Sequence, residues 1–84
     1  MKKSRYSPLQ KHIQNILREM RLEAGFRQAD SAQLLGQPQS FVSKYESGER
    51  ILDFLEIRQI CAAMGFSMQE FLNRFEENIN EGQS

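Results

Sequence analysis

The sequence predicts an all-α fold of five short helices, and three observations carry that reading. Apolar residues recur every three or four positions in each of five segments, the spacing that gathers them on one helix face. Capping signals open several of these segments, and Gly25, Gly36, Gly48 and Gly65 close four of them. No stretch alternates apolar and polar residues as a half-buried strand does, and no internal repeat or low-complexity segment appears.

The chain in order reads as follows. Residues 1–6 form a basic N-terminal arm with Lys2, Lys3 and Arg5. Helix one starts from Ser7-Pro8-Leu9-Gln10, a capping box with proline at the first helical position. Leu9, Ile13, Ile16, Leu17, Met20 and Ala24 form its inner stripe, and His12 falls to the opposite side or a flank as a surface histidine. Helix two runs roughly from Arg27 to Leu35 with Ala29, Ala32 and Leu35 inward. Gly36 follows, then Pro38, which suits only a first turn. Helix three spans Gln39 to Ser47. Helix four begins at Asp53 or Phe54, with Asp53 as cap and Glu56 three residues on; Phe54, Leu55, Ile57, Ile60, Cys61 and Met64 are its apolar side. Cys61 reads as a small core residue. Helix five opens with the box Ser67-Met68-Gln69-Glu70 and continues through Phe71, Leu72, Phe75 and Ile79. The domain therefore spans 7–76, and a polar tail, 77–84, is expected to fray.

Composition removes several classes of function. Eighty-four residues make one small domain whose core supplies only a few kcal/mol, so dimerisation is an expected supplement. One cysteine and one histidine leave no internal disulfide and no zinc constellation, and no cofactor is expected. No apolar run is long enough for a membrane helix, and the basic N-terminus lacks the apolar segment of a signal peptide; a cytoplasmic protein without a membrane partner is expected. Paired carboxylates, a nucleophile with its base, and a phosphate loop are all missing, which argues against an enzyme.

The outer face of helix three is the distinctive feature. At about 100° per residue, Gln39, Ser40, Ser43, Lys44 and Ser47 fall on one side, and Val42 and Tyr45 on the other. Amides bond adenine edges, hydroxyls bond several bases, and lysine bonds guanine or phosphate. With no carboxylate among them, these groups suit a helix lying in a DNA major groove, although a short polar face is also what an ordinary solvated helix presents.

The stretch LREMRLEAGFRQADSAQLLGQPQSFVSKYESGER resembles the Cro/repressor (Xre-type) helix-turn-helix family. The likeness rests on Leu17-Arg18, Arg21, Gly25, Gln28, Ala32, Leu35-Gly36, Gln39-Ser40, Val42-Ser43-Lys44 and Glu46-Ser47-Gly48-Glu49-Arg50. It continues through Leu55, Ile60, Ala63-Met64-Gly65 and Phe71-Leu72. The resemblance implies a lambda-repressor-like DNA-binding domain with the helix-turn-helix in helices two and three. It places base contacts on Gln39, Ser40, Ser43 and Lys44, with Phe41 against a thymine methyl. Phosphate contacts fall to Gln28 at the start of helix two and to Ser47 and Arg50 after the recognition helix. It also implies a pair between Arg21 and Glu46. The residues support that pair independently, because Glu46 lies one turn after Val42 at the edge of the inner face, where a carboxylate needs a cation.

Two positions depart from the family pattern. Arg27 stands where a Ser or Thr cap is usual, which loosens the start of helix two unless Arg27 reaches a phosphate instead. Ser31 stands where a bulky apolar residue is usual; its hydroxyl is expected on a carbonyl one turn back, with Phe26 or Phe66 filling the space.

Charge is unevenly spread. Residues 1–50 hold nine basic against five acidic residues, +4, and residues 51–84 two against six, −4. The positive half carries the recognition pattern, and the negative half is expected away from DNA or toward a protein. The expected function is a transcriptional regulator, a repressor, binding double-stranded DNA as a homodimer on a palindromic operator. Phe71, Phe75 and Ile79, about one turn apart on helix five, are the candidate dimer interface. An antitoxin that also binds a toxin, a restriction–modification controller, and a helical adaptor that binds only proteins are the rival readings.

Overall fold

The computed structural model describes residues 7–83, with side chains as far as Glu77, and contains five helices and no strand among them. These are α1 (Pro8–Glu23), α2 (Gln28–Leu35), α3 (Gln39–Ser47), α4 (Phe54–Met64) and α5 (Met68–Gln83). The basic arm expected at Lys2, Lys3 and Arg5 lies outside the described residues, as does the side chain of Ile79.

Local chemistry sets most boundaries. The Ser7 hydroxyl accepts the Gln10 N–H at 3.0 Å, with Pro8 at the first helical position. Asp53 and Glu56 form the reciprocal box that opens α4: Asp53 accepts the Glu56 N–H at 2.8 Å and Glu56 accepts the Asp53 N–H at 3.0 Å. At α2 the weak start expected from Arg27 is repaired from the other side. The Asp30 carboxylate accepts the Arg27 N–H at 2.9 Å and also the Arg27 guanidinium at 3.1 and 3.0 Å. These bonds hold the Asp30 carboxyl below its ordinary range. The helix begins at Gln28, one residue later than expected, and Pro38 caps α3 rather than entering its first turn.

The core lies where the helices converge: Ile16, Leu17 and Met20 of α1, Ala32 of α2, Val42 and Tyr45 of α3, Ile57, Ile60 and Cys61 of α4, and Phe71 of α5. Burial pushes the Cys61 thiol up to about 11, as suits a packing residue. Several apolar residues expected inside are not. Leu9, Phe54, Leu55 and Leu72 are exposed, with Leu55 at 69 %, and Ala29 also faces out. Periodicity fixes a stripe's direction, but only a covering neighbour decides how much of it is buried. Leu52, between α3 and α4, is buried.

Ser31 is fully buried, yet its hydroxyl donates to Met64 Sδ at 3.3 Å rather than to its own helix. The short polar side chain thus sits where α2 meets α4, while Phe66 packs against the core and carries the Arg74 guanidinium over its ring. His12 also departs from expectation. It is half-buried, its ring stacks on Phe75 at 5.3 Å, and Nε2 lies 3.2 Å from the Phe75 carbonyl oxygen.

The expected dimer stripe is altered by the same packing. Phe71 is only 4 % exposed and belongs to the chain's own core, so it drops out of the expected interface stripe. Phe75 is half-buried between His12 and Phe71, whose ring it parallels at 6.4 Å. Helix α5 itself continues into the tail expected to fray, because the polar residues after Phe75 are compatible with helix and include no proline.

Candidate functional site

Helix α3 is held by its buried side and turned outward by its polar side. Val42 and Tyr45 are fully buried, and burial drives the Tyr45 phenol well above its ordinary range. Gln39, Ser40, Ser43, Lys44 and Ser47 are all exposed, so the sequence-predicted face is assembled as one surface. Two glycines fix the helix at its ends. Gly36 takes φ 66° in the turn from α2. Gly48 takes φ 90° after Ser47, a left-handed conformation that favours glycine, with the movable end of the Gln14 side chain packed against it.

Beneath this face lies the ion pair that the sequence placed. Arg21 Nε donates to Glu46 Oε2 at 2.7 Å and Nη2 to Oε1 at 3.0 Å, a two-pronged pair with side chains 9 % and 5 % exposed. The third guanidinium donor, Nη1, reaches the Phe26 carbonyl at 2.8 Å. Hydrogen bonding to Glu46 raises the Arg21 pKa against the lowering effect of burial. The network does not stop there. Gln28 Nε2 donates to Glu46 Oε1 at 3.1 Å, and Gln39 Nε2 reaches Gln28 Oε1 at 3.4 Å. A buried charge pair thus orients the amide at the start of α2, and that amide meets the first residue of α3. The sequence treated Gln28 and Gln39 as separate contacts; the structure joins them.

Other predicted residues have partners of their own. Phe41 is half-buried, edge-on to Tyr45 at 5.5 Å, and carries the Arg50 guanidinium over its ring at 5.0 Å, so much of it is packing surface. Arg50 also pairs with Glu56, which fixes a cation just beyond the C-terminal end of α3. The Ser47 hydroxyl donates to the Lys44 carbonyl at 3.1 Å and accepts the Glu49 N–H at 3.4 Å. Arg27 projects into solvent from the start of α2, paired with Asp30. Arg50→Ala is expected to weaken binding to every DNA sequence about equally and to flatten the slope of log affinity against log salt by about 1. Salt titrations on specific and random duplexes check this; a change in sequence preference with an unchanged slope speaks against a phosphate role.

Sequence reading missed one flank of the site. A polar groove of about 380 Å³ runs between α1 and α3, lined by Lys11, Gln14, Asn15 and Arg18 on one side and by Ser43 and Ser47 on the other, with Gln28 and Glu46 also at its wall. The signal was present as a polar stripe at positions 11, 14, 15 and 18, helical spacing with two cations and no acid. Among the described residues no group of three or more His, Cys, Asp and Glu side chains is placed to hold a metal. No helix among them is long and apolar enough to cross a membrane.

The comparisons with known proteins agree with this geometry. A family model described as helix-turn-helix matches residues 17–71. Among solved structures, an XRE-family-like protein from Pseudomonas syringae pv. tomato str. DC3000 is 38 % identical, with a TM-score of 0.77 over 82 % of this chain and 84 % of that one. The restriction–modification controller protein C.Esp1396I is 23 % identical, with a TM-score of 0.81 over 87 % of this chain and 94 % of that one. The clp gene regulator ClgR from Corynebacterium glutamicum is 18 % identical, with a TM-score of 0.78 over 92 % and 82 %. The last two likenesses establish the fold alone. No curated protein sequence matches the chain.

Proposed function

Since this chain belongs to the Xre-type helix-turn-helix family, and is accordingly a DNA-binding regulator rather than an enzyme, we propose that it is a cytoplasmic transcriptional repressor that reads a palindromic operator as a dimer. The observation that carries the reading is the exposed face of α3, where Gln39, Ser40, Ser43 and Lys44 stand together without a carboxylate. Gln39 and Lys44 read bases; Arg50, Ser47, Gln28 and Arg27 hold the backbone on either side.

The dimer follows from specificity. One recognition helix reads only a few base pairs, whereas two related by a two-fold axis read half-sites about 34 Å apart. The exposed Phe54, Leu55 and Leu72 of α4 and α5 supply apolar surface in the half expected to join. One relative supports the assembly by its description: a C.Esp1396I tetramer in complex with its natural 35-base-pair operator, again 23 % identical to this chain. Sedimentation at micromolar protein is the test. A dimer, free or on a palindromic duplex, is expected; a chain that stays monomeric in both conditions overturns the dimeric reading.

A further inference from the structure

An ion pair ties the end of α3 to the start of α4. Arg50 Nη2 donates to Glu56 Oε2, and the guanidinium lies over the Phe41 ring of α3 at 5.0 Å. The Arg50 N–H donates to the Lys44 carbonyl at 3.0 Å, which fixes its backbone to α3. Glu56 belongs to α4 and is itself held. Its Oε1 accepts the Asp53 N–H at 3.0 Å, and its own N–H donates to Asp53 Oδ1 at 2.8 Å. One carboxylate therefore has two tasks. One oxygen closes the capping box of α4, and the other holds a cation beyond the end of α3.

The exposure of the pair identifies what it is for. The Arg50 and Glu56 side chains are 45 % and 24 % exposed, and an ion pair this open to water contributes little to folding. What the contacts fix is direction. A free arginine has many rotamers, and gripping a ligand costs it that freedom. A guanidinium laid on a ring and held at one corner has lost much of it beforehand. Arg50 Nε and Nη1 make no hydrogen bond among the described residues, so donors remain for an outside acceptor. Arg27, the other arginine of the proposed backbone set, differs: it spends Nε and Nη2 on Asp30 within its own turn.

We infer that Glu56 is a positioning residue for DNA binding, holding Arg50 flat on Phe41 with its free donors ready for one phosphate. The inference rests on the reading of Arg50 as a backbone contact. Glu56 acts through Arg50 and does not itself meet DNA, since a carboxylate and a phosphate repel. The consequence runs against net electrostatics. Deleting an acid near a DNA-binding surface ordinarily strengthens binding; deleting Glu56 weakens it.

Affinity for a duplex of random sequence, measured across a range of salt, is the test. Glu56→Gln keeps the length of the side chain and an oxygen for the Asp53 N–H, but offers Arg50 an amide in place of the second oxygen. It is expected to lower affinity about three- to tenfold, the cost of immobilising one long side chain on binding. The slope of log affinity against log salt should stay unchanged, because the same phosphates are neutralised in the complex. Arg50→Ala should instead flatten the slope by about 1, and adding Glu56→Gln to it should bring no further loss. Asp53→Ala removes the other half of the capping box and keeps the N–H of residue 53 on Glu56. It is expected to lower the melting temperature and leave DNA affinity at the wild-type value, which separates a weakened cap from a misplaced Arg50. Circular dichroism should show every variant folded. Tighter or unchanged binding by Glu56→Gln overturns the inference, and so does an equal loss in the Arg50→Ala background. An Arg50→Ala variant with wild-type affinity and slope removes the underlying reading of Arg50, and the inference falls with it.

Discussion

Removing Arg21 or Glu46 alone is expected to cost about 3–5 kcal/mol of folding stability, the cost of leaving the partner's charge buried and unpaired. The pair is two-pronged and nearly sealed from solvent, and its remaining capacity is filled by the Phe26 carbonyl and the Gln28 amide. A domain of this size holds only about 5–15 kcal/mol in total, so either change brings it near unfolding. Denaturant melts of Arg21→Ala, Glu46→Ala and the double variant separate pairing from solvated charges. A double variant costing much less than the sum of the singles is expected; small additive losses below about 1 kcal/mol remove the pair from the account. Loss of Glu46 also releases Gln28, so weaker DNA binding should accompany the stability loss.

The largest functional effect is expected at the face of α3. Gln39→Ala should cost about 1–3 kcal/mol of specific binding and relax preference at one base position, and Lys44→Ala should act likewise at another. Both side chains are exposed, so the fold should persist in each variant. The two changes differ in one respect. Gln39 is linked to Gln28, and through it to the buried pair, so its removal also frees the amide at the start of α2. Lys44 has no such link among the described residues, and its loss should be confined to its own contact. Unchanged specific affinity in both variants, with the fold intact by circular dichroism, removes the base-reading assignment.

What was legible in advance was written in local chemistry. Helix α3 runs from Gln39 to Ser47 and α4 from Phe54 to Met64, as their bounding glycines and the Asp53 cap indicate. The Arg21–Glu46 pair was legible because the family resemblance implies it, and a carboxylate at the edge of a buried face supports it by needing a cation. What was not legible depended on neighbours distant in sequence. Leu55 lies on a plausible apolar stripe that no other helix covers, and Phe71 lies on an equally plausible surface stripe that the core absorbs. His12 stacks on Phe75, sixty-three residues away, a pairing no local pattern encodes. Arg27 supplies no capping acceptor to α2, as its side chain indicates, but Asp30, three residues inside the helix, accepts the Arg27 N–H instead.

Base reading by α3 is tested by selecting bound sequences from a random duplex pool. The expected result is enrichment of a palindrome whose half-sites lie about one DNA turn apart, with sequence preference at fixed positions that Gln39→Ala and Lys44→Ala each relax. A folded wild-type protein that enriches no sequence over the starting pool would contradict it.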